Sequence, residues 1–289
     1  MRIALLGSSG MLGFKMAEVL KARGHELLTP PRSEVDLNRP HTIENFFNSK
    51  TFDTLINCAG FTRVDACEEA AKFSMVMNVN GTSVGWLAKL CKKTGRILVH
   101  FSTDYVFDGK KGEPYRETDE PDPLNIYGKT KWQGEKLIRA EDPFHYLIRA
   151  SWVYGPGGNN FVDTMLSLLR SRPKVEVVRD QVGAPTYTGD LAVFVLELLE
   201  KKAESGLYHF ANEGSTSWYL FAKEIQDQTG LQSCDIAPVY SDTVFRPALR
   251  PANSRFDLSK AVKAVGHPCR PWEAALDEYL AKEYKIGTS

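Results

Sequence analysis

The sequence predicts an α/β protein: a doubly wound parallel sheet with a smaller, interleaved C-terminal domain. Three observations carry that expectation. Short apolar runs recur through the first half of the chain, each too short for a helix and suited to a strand buried on both faces. Helical stretches separate them, giving the order β, α, β, α, β, α, β with short connections by residue 103. The first run opens directly into a glycine-rich turn, Gly7-Ser8-Ser9-Gly10-Met11-Leu12-Gly13.

Residues 3–6 form the first strand, and residues 14–23 a helix with Leu12, Met16, Val19 and Leu20 on one stripe. Strand, glycine turn, helix is the context in which glycines read as a dinucleotide site. Gly7 permits the tight turn, Gly10 lets a pyrophosphate approach the backbone, and Gly13 lets the helix pack close to the strand. A second strand at residues 25–29 is stopped by Pro30-Pro31. Simple NAD sites place an acidic residue at this tip to bind ribose hydroxyls. Here Arg32 and Ser33 stand there, a guanidinium and a hydroxyl suited to a 2′-phosphate. NADPH is the expected cofactor, and Glu34 next to them leaves NADH open.

Residues 42–47 are helical and residues 53–57 form the third strand, which runs into Cys58-Ala59-Gly60, small enough for a cofactor to lie against. A helix begins at 65–71 and continues, after an interruption, through 73–91. The fourth strand, 97–101, ends in Ser102-Thr103-Asp104. Residues 108–123, rich in Gly, Pro and charge, read as a surface loop and a natural lid or substrate rim. A helix at 125–140 is followed by strands at 144–148, 174–178 and 206–211, and by helices at 161–170, 190–200, 218–229 and 272–283. No repeat or low-complexity linker divides the chain. The expected dinucleotide-binding domain is 1–152 plus roughly 175–212, and the second domain roughly 153–174 plus 213–289.

With 289 residues, 43% hydrophobic and 25% charged, the chain has the composition of a soluble globular protein. Lys plus Arg and Asp plus Glu both number 36, so no net charge points to nucleic acid or a membrane surface. No apolar run approaches the ~18 residues that would cross a bilayer, and the N-terminus shows no cleavable signal pattern. The five cysteines (Cys58, Cys67, Cys91, Cys234, Cys269) lack any CxxC and suggest reduced thiols in a cytoplasmic protein. The six histidines are scattered, so no catalytic metal site is expected.

Tyr127 and Lys131 stand at i and i+4, on one helical face. A phenol beside a cation suits general acid chemistry at a carbonyl, because the cation lowers a tyrosine pKa from its reference of ~10. Tyr219 and Lys223 repeat the spacing, but on a helix whose Trp218, Phe221 and Ile225 suit core packing. Tyr127 is preferred because its helix follows the strand ending in Ser102 and Thr103. One of those hydroxyls would bond the substrate oxygen while Tyr127 protonates it.

Gly7, Gly10, Gly13, residues 57–62, residues 102–109 and the Tyr127/Lys131 pair together resemble an extended short-chain dehydrogenase/reductase, a family with a Rossmann-type sheet. Residues 149–155, 160–162, 180–186 and 250–254 extend the match over nearly the whole chain, to the dTDP-4-dehydrorhamnose reductase family. The resemblance implies reduction of dTDP-4-dehydro-L-rhamnose to dTDP-L-rhamnose with hydride from NADPH or NADH. Tyr127 would be the proton donor, Lys131 would hold the cofactor ribose and tune Tyr127, and Thr103 would bond the C4 oxygen. Gly10, Met11, Leu12, Asp36, Leu37, Gly60, Phe61 and Thr62 fall at cofactor contacts. Thr103, Asp104 and Trp152 fall at contacts to the sugar nucleotide. Arg250 falls at the diphosphate, with a surface salt bridge as its competing reading.

Some members of that family bind magnesium at a dimer interface through an acidic residue just after the third glycine. Lys15 stands there, with Asp190 as another candidate ligand, so a magnesium-held dimer is disfavoured and a monomer or homodimer is expected. Among rivals, the sugar-nucleotide 4,6-dehydratases follow the Ser/Thr with Asp-Glu, which Asp104-Tyr105 lacks. A 4-epimerase shares the Tyr and Lys, and the methionine adenosyltransferase regulatory subunit shares the fold without the catalysis.

Overall fold

The structure is a computed structural model that describes residues 1–285; the last residues assigned to the second domain, 286–289, lie outside the described residues. β1 (Arg2–Leu6) is followed by α1 (Met11–Ala22), β2 (Glu26–Leu28), α2 (Pro40–Ser49) and β3 (Thr54–Asn57). Next come α3 (Phe73–Met77), α4 (Ser83–Thr94), β4 (Ile97–Thr103), α5 (Ile126–Glu141) and β5 (His145–Ala150). The second half runs through β6 (Val153–Tyr154), α6 (Phe161–Ser171), β7 (Lys174–Val178), β8 (Val182–Gly183) and β9 (Thr186–Tyr187). After α7 (Thr188–Glu200) and β10 (Gly206–Phe210) it ends with β11 (Thr216–Ser217), α8 (Trp218–Thr229), β12 (Asp235–Val239), α9 (Ser259–Val265) and α10 (Trp272–Tyr284).

Six strands pair in the order β2-β1-β3-β4-β5-β10, every pair parallel. The apolar runs are continuous because both faces of the sheet are covered. Ile3 and Leu5 pack on one face with Met16 and Leu20 of α1 and the apolar side of α7. Ala4 and Leu6 pack on the other with Ile43, Phe46 and Phe47 of α2, Leu87 of α4 and Ile138 of α5. The strand order reverses at β1, with β2 on one side and β3 on the other, so a crevice opens beyond their carboxyl ends. The expected doubly wound sheet is there.

A second core joins Leu166 and Leu169 of α6, Phe221 and Ile225 of α8 and Leu276 of α10. β7 lies in this part. It pairs in parallel with β12, and its Val175 and Val177 pack into the second core. Conversely, Ala261 and Val265 of α9 pack into the first. The expected boundary near residue 175 therefore does not follow the packing: an alternating strand pattern states that a strand exists, and the partner it finds is set by tertiary contacts.

The stretch 65–91 also differs from the expected helices. Residues Asp65–Glu68 and Ala70–Lys72 are two separate 3-10 turns, broken by the extended backbone of Glu69. α3 and α4 are joined by a π-helical turn, Asn78–Thr82. That wider turn aims Asn80 at the loop after β3, where its Oδ1 accepts from the Phe61 N–H (2.8 Å) and its Nδ2 donates to the Phe61 carbonyl (2.9 Å). Local disruptions of this kind are frequent at functional sites.

Candidate active site

Two adjoining cavities of about 530 and 410 Å³ occupy the crevice, sharing Gly10, Cys58, Ala59 and Gly60. Gly7 forms the turn at the first with φ +73°, and a Cβ there would sit 2.6 Å from the Ala59 nitrogen. Gly13 lines neither cavity. A Cβ on it would come within 2.0 Å of the Gly7 carbonyl oxygen, so it is the contact that lets α1 start against the turn. Gly10 caps α1 without any side chain, leaving the first amides of the helix facing the crevice.

Of the expected cofactor residues, Gly7, Gly10, Arg32, Asp36, Leu37, Gly60 and Phe61 line the first cavity, and Gly10, Met11, Leu12, Gly60 and Thr62 the second. Thr103, Asp104, Tyr127, Lys131 and Trp152 all converge on the second cavity. Arg32 is largely exposed, 3.7 Å from Asp36.

Tyr127 is placed by the start of α5. The Asn125 side chain caps the helix, accepting from the Gly128 N–H at 2.8 Å, and donates from Nδ2 to the Leu249 carbonyl at 2.7 Å. Gly128 packs where a Cβ would meet the Tyr105 carbonyl oxygen at 2.1 Å, so the helix seats directly on the segment following β4. The Tyr105 and Tyr127 rings stand edge to face, 5.9 Å apart. At the end of β4, Thr103 Oγ1 donates to Asp104 at 3.0 Å and accepts from the Tyr105 N–H at 3.2 Å. The neighbouring Ser102 hydroxyl is committed elsewhere, donating to Glu135 at 2.5 Å. Of the two candidate hydroxyls, Thr103 is the one beside Tyr127.

Burial governs the electrostatics. The Tyr127 phenol is driven well above the usual tyrosine range by burial, then by the charge of Asp104, while the Thr103 hydroxyl opposes the shift. The expected lowering by Lys131 is absent: desolvation of the phenolate dominates, and Lys131 is not among the groups that move it. Lys131 is itself pushed down to about 8 by burial, against the pull of Glu135. Asp104 is pushed up to about 6 by burial, opposed by the nearby Ser254 hydroxyl and the hydrogen bond from Thr103, and its Oδ2 is buried without a partner. A neutral phenol, a cation and an unpartnered carboxylate oxygen therefore share one cavity.

Trp152 adopts φ +46°, a left-handed backbone that a bulky residue rarely takes, and such strain clusters at binding sites. Its ring stacks on Trp218 at 3.6 Å and 9°. Trp218, expected in the core, packs partly buried against the second core and also lines the cavity, as does Asn159. The helical pattern of residues 218–229 gave no signal separating Trp218 from Phe221, which is fully buried.

Arg250 lines neither cavity. Its guanidinium grips Asp65 through two hydrogen bonds, 2.9 and 2.7 Å, and donates to the Ala248 carbonyl, the salt-bridge reading of this residue. Lys15 is buried and paired with Glu18 at 3.0 Å, and Asp190 is held by Arg270 and Asn212. Among the described residues, no three His, Cys, Asp or Glu side chains cluster in a way that could hold a metal, and no helix is long and apolar enough to cross a membrane.

Residues 1–285 match the family model described as RmlD substrate binding domain. The chain is 38% identical to the spore coat polysaccharide biosynthesis protein SpsK of Bacillus subtilis over 279 residues, 96% of each chain. It is 38% identical to a dTDP-4-dehydrorhamnose reductase of Aggregatibacter actinomycetemcomitans, covering 97% of this chain and 98% of that one. Among solved structures, the dTDP-4-dehydrorhamnose reductase of Bacillus anthracis in complex with NADP superposes with a TM-score of 0.92 at 31% identity, covering 97% of this chain and 99% of that one. With its doubly wound sheet, glycine turn and Thr103–Tyr127–Lys131 cavity, the chain belongs to the RmlD substrate binding domain family.

Proposed function

We propose that this protein reduces the 4-keto group of dTDP-4-dehydro-L-rhamnose to give dTDP-L-rhamnose, using NADPH, or NADH less well. The observation that carries this reading is the convergence of Thr103, Tyr127 and Lys131 on a cavity continuous with the glycine-turn cavity. The first cavity fits a dinucleotide: the uncapped start of α1 suits a pyrophosphate, and Arg32 suits a ribose phosphate. Bound there, the reduced nicotinamide supplies hydride to the carbonyl carbon.

This chain's residues do the rest. The Thr103 hydroxyl bonds the C4 oxygen, and Tyr127 gives that oxygen its proton as negative charge develops there. A phenol held neutral by burial keeps its proton until that charge appears. The Lys131 ammonium holds the cofactor ribose and stabilises the phenolate left behind. The free Asp104 carboxylate oxygen accepts a sugar hydroxyl, and the Trp152 ring covers the sugar face. In our reading the cofactor-binding part comprises β1 to β5 with α7, β10 and α9. The remainder, including β7 and β12, forms the nucleotide-sugar part. A cytoplasmic location accords with five free thiols.

The test is nicotinamide absorbance with dTDP-4-dehydro-L-rhamnose, comparing the natural protein with Tyr127→Phe and each cofactor. Oxidation by the natural protein and its collapse in the variant are expected. A protein that binds NADPH yet oxidises none with this or other 4-keto sugar nucleotides would overturn the reading.

A further inference from the structure

We infer that Glu135, one turn beyond Lys131, is a positioning residue that holds the Lys131 ammonium in its charged form and fixes the end of β4. The inference rests on the reductase reading above. Tyr127, Lys131 and Glu135 succeed one another at four-residue steps along one buried face of α5. Glu135 is fully buried, as is Arg149 of β5, and the two pair through Arg149 Nε to Oε1 at 2.9 Å and Nη2 to Oε2 at 2.7 Å. Oε1 also accepts from the Ser102 hydroxyl, one residue before Thr103. Arg149 is itself positioned by the Phe107 ring, 4.9 Å away, and by His209 at 3.3 Å. His209 in turn contacts the Tyr115 carbonyl, so the cluster reaches the loop at 108–123. One carboxylate thus ties helix, catalytic strand, neighbouring strand and rim together.

The surroundings of Lys131 explain why that carboxylate matters. Burial disfavours the ammonium, and few neighbours oppose it. Cys58, facing it from the end of β3, is a thiol pushed far up by burial and stays neutral. His100, facing it from β4, is held far below its ordinary value by burial and is neutral too. Tyr127, on its own helix, keeps its proton. Arg149 and the half-exposed Arg139 both address the carboxylate of Glu135. Asp104 lines the same cavity, but its charge acts on Tyr127; Glu135 is the anion that favours the ammonium.

The test is the pH dependence of NADPH binding, followed by cofactor fluorescence, and of kcat. In the natural protein both weaken as pH rises through about 8, where Lys131 loses its proton. Glu135→Gln moves that midpoint down by about one pH unit, a small effect for loss of a close opposite charge. Glu135→Asp, which keeps the charge, holds the midpoint near its natural place. Breaking a buried pair is strongly destabilising, whereas replacing both partners is tolerated better. Should Glu135→Gln not fold, Glu135→Gln with Arg149→Met moves the midpoint in the same direction by a smaller amount, because the Arg149 cation leaves together with the carboxylate. A folded charge-removing variant with an unmoved midpoint overturns the inference, as does a Glu135→Asp midpoint displaced as far as that of Glu135→Gln. The binding titration needs no turnover. An unreactive natural protein would count against the reductase reading, while the shift would still report on Glu135.

Discussion

Two Tyr–Lys pairs with the same helical spacing occupy this chain, in opposite surroundings. Tyr127 and Lys131 face inward from α5 onto the cavity beyond β3 and β4, and Lys131 is only 5% exposed. Tyr219 and Lys223 ride on the partly exposed side of α8, where Lys223 donates to Gln226 at 2.6 Å. Neither Tyr219 nor Lys223 lines the catalytic cavity. The i, i+4 relation is a property of any helix. What separates the pairs is desolvation and convergence: Gly128 seats α5 on the segment following β4 and Gly134 seats it on the π turn and α4, so its polar side chains are enclosed with Thr103 and Asp104. A low-dielectric enclosure raises the energetic weight of every charge inside it. Proton chemistry is therefore a property of the place, and the spacing only admits the right atoms to it.

The contrast is tested most sharply by paired removal of the phenols. Tyr127→Phe should lower kcat by about 10²–10⁴-fold, the usual worth of a general acid. Tyr219→Phe should leave it within about twofold. Both are measured by oxidation of NADPH with the keto sugar. Equal losses would mean that the enclosed pair is not the proton donor's.

The next largest effect is in pH. Asp104, raised by burial to about 6, is ionised above that value, and Lys131, lowered by burial to about 8, is charged below its own. With both charges required, kcat/KM rises as pH passes about 6 and falls as it passes about 8, the bell that an essential acid and base produce. Asp104→Asn should remove the acid limb. Lys223→Met, on the outer pair, should leave both limbs in place. A profile flat across this range would show that the enclosure does not govern the charges.

A smaller effect belongs to the stacked tryptophans. Trp218→Leu removes an aromatic partner worth about 1.5 kcal/mol at most, so KM for the sugar nucleotide should rise roughly tenfold with little change in kcat. A fall in kcat alone would place Trp218 outside substrate binding.

Much of this was legible from the sequence, because the informative features are local. The runs at residues 3–6, 53–57 and 97–101 had to be strands buried on both faces, and the glycine turn between the first strand and helix had few other uses. The hidden features depend on distant partners. The contact that the π turn makes between Asn80 and Phe61 spans 19 residues of sequence, and the Ser102–Glu135–Arg149 cluster joins three separate elements. The left-handed Trp152 carries no signature, since a tryptophan in that backbone is sterically unexpected. β7 was recognisable as a strand, but its pairing with β12 crosses four strands, β8 to β11, and two helices, α7 and α8. The direction of the Tyr127 shift was misjudged for the same reason: the cation was visible in the sequence and the burial was not.

Two arginines extend the comparison to charge. Arg250 is committed, gripping Asp65 with a side chain that is 12% exposed. Arg32 is 77% exposed at the rim of the first cavity, with only a loose contact to Asp36 at 3.7 Å. A committed guanidinium supports structure, while an exposed one can exchange its weak partner for a phosphate through charge-assisted hydrogen bonds. Arg32→Ala should therefore lower the preference for NADPH over NADH by about tenfold, or ~1.4 kcal/mol, without changing the folded state. Arg250→Ala should leave that preference alone and cost about 1 kcal/mol of stability, a figure held down by solvent screening because Asp65 is 40% exposed. The measurements are kcat/KM for each cofactor and a denaturant midpoint. If Arg250→Ala changed the cofactor ratio and Arg32→Ala did not, exposure would be the wrong guide, and the 2′-phosphate would have to be sought away from the tip of β2.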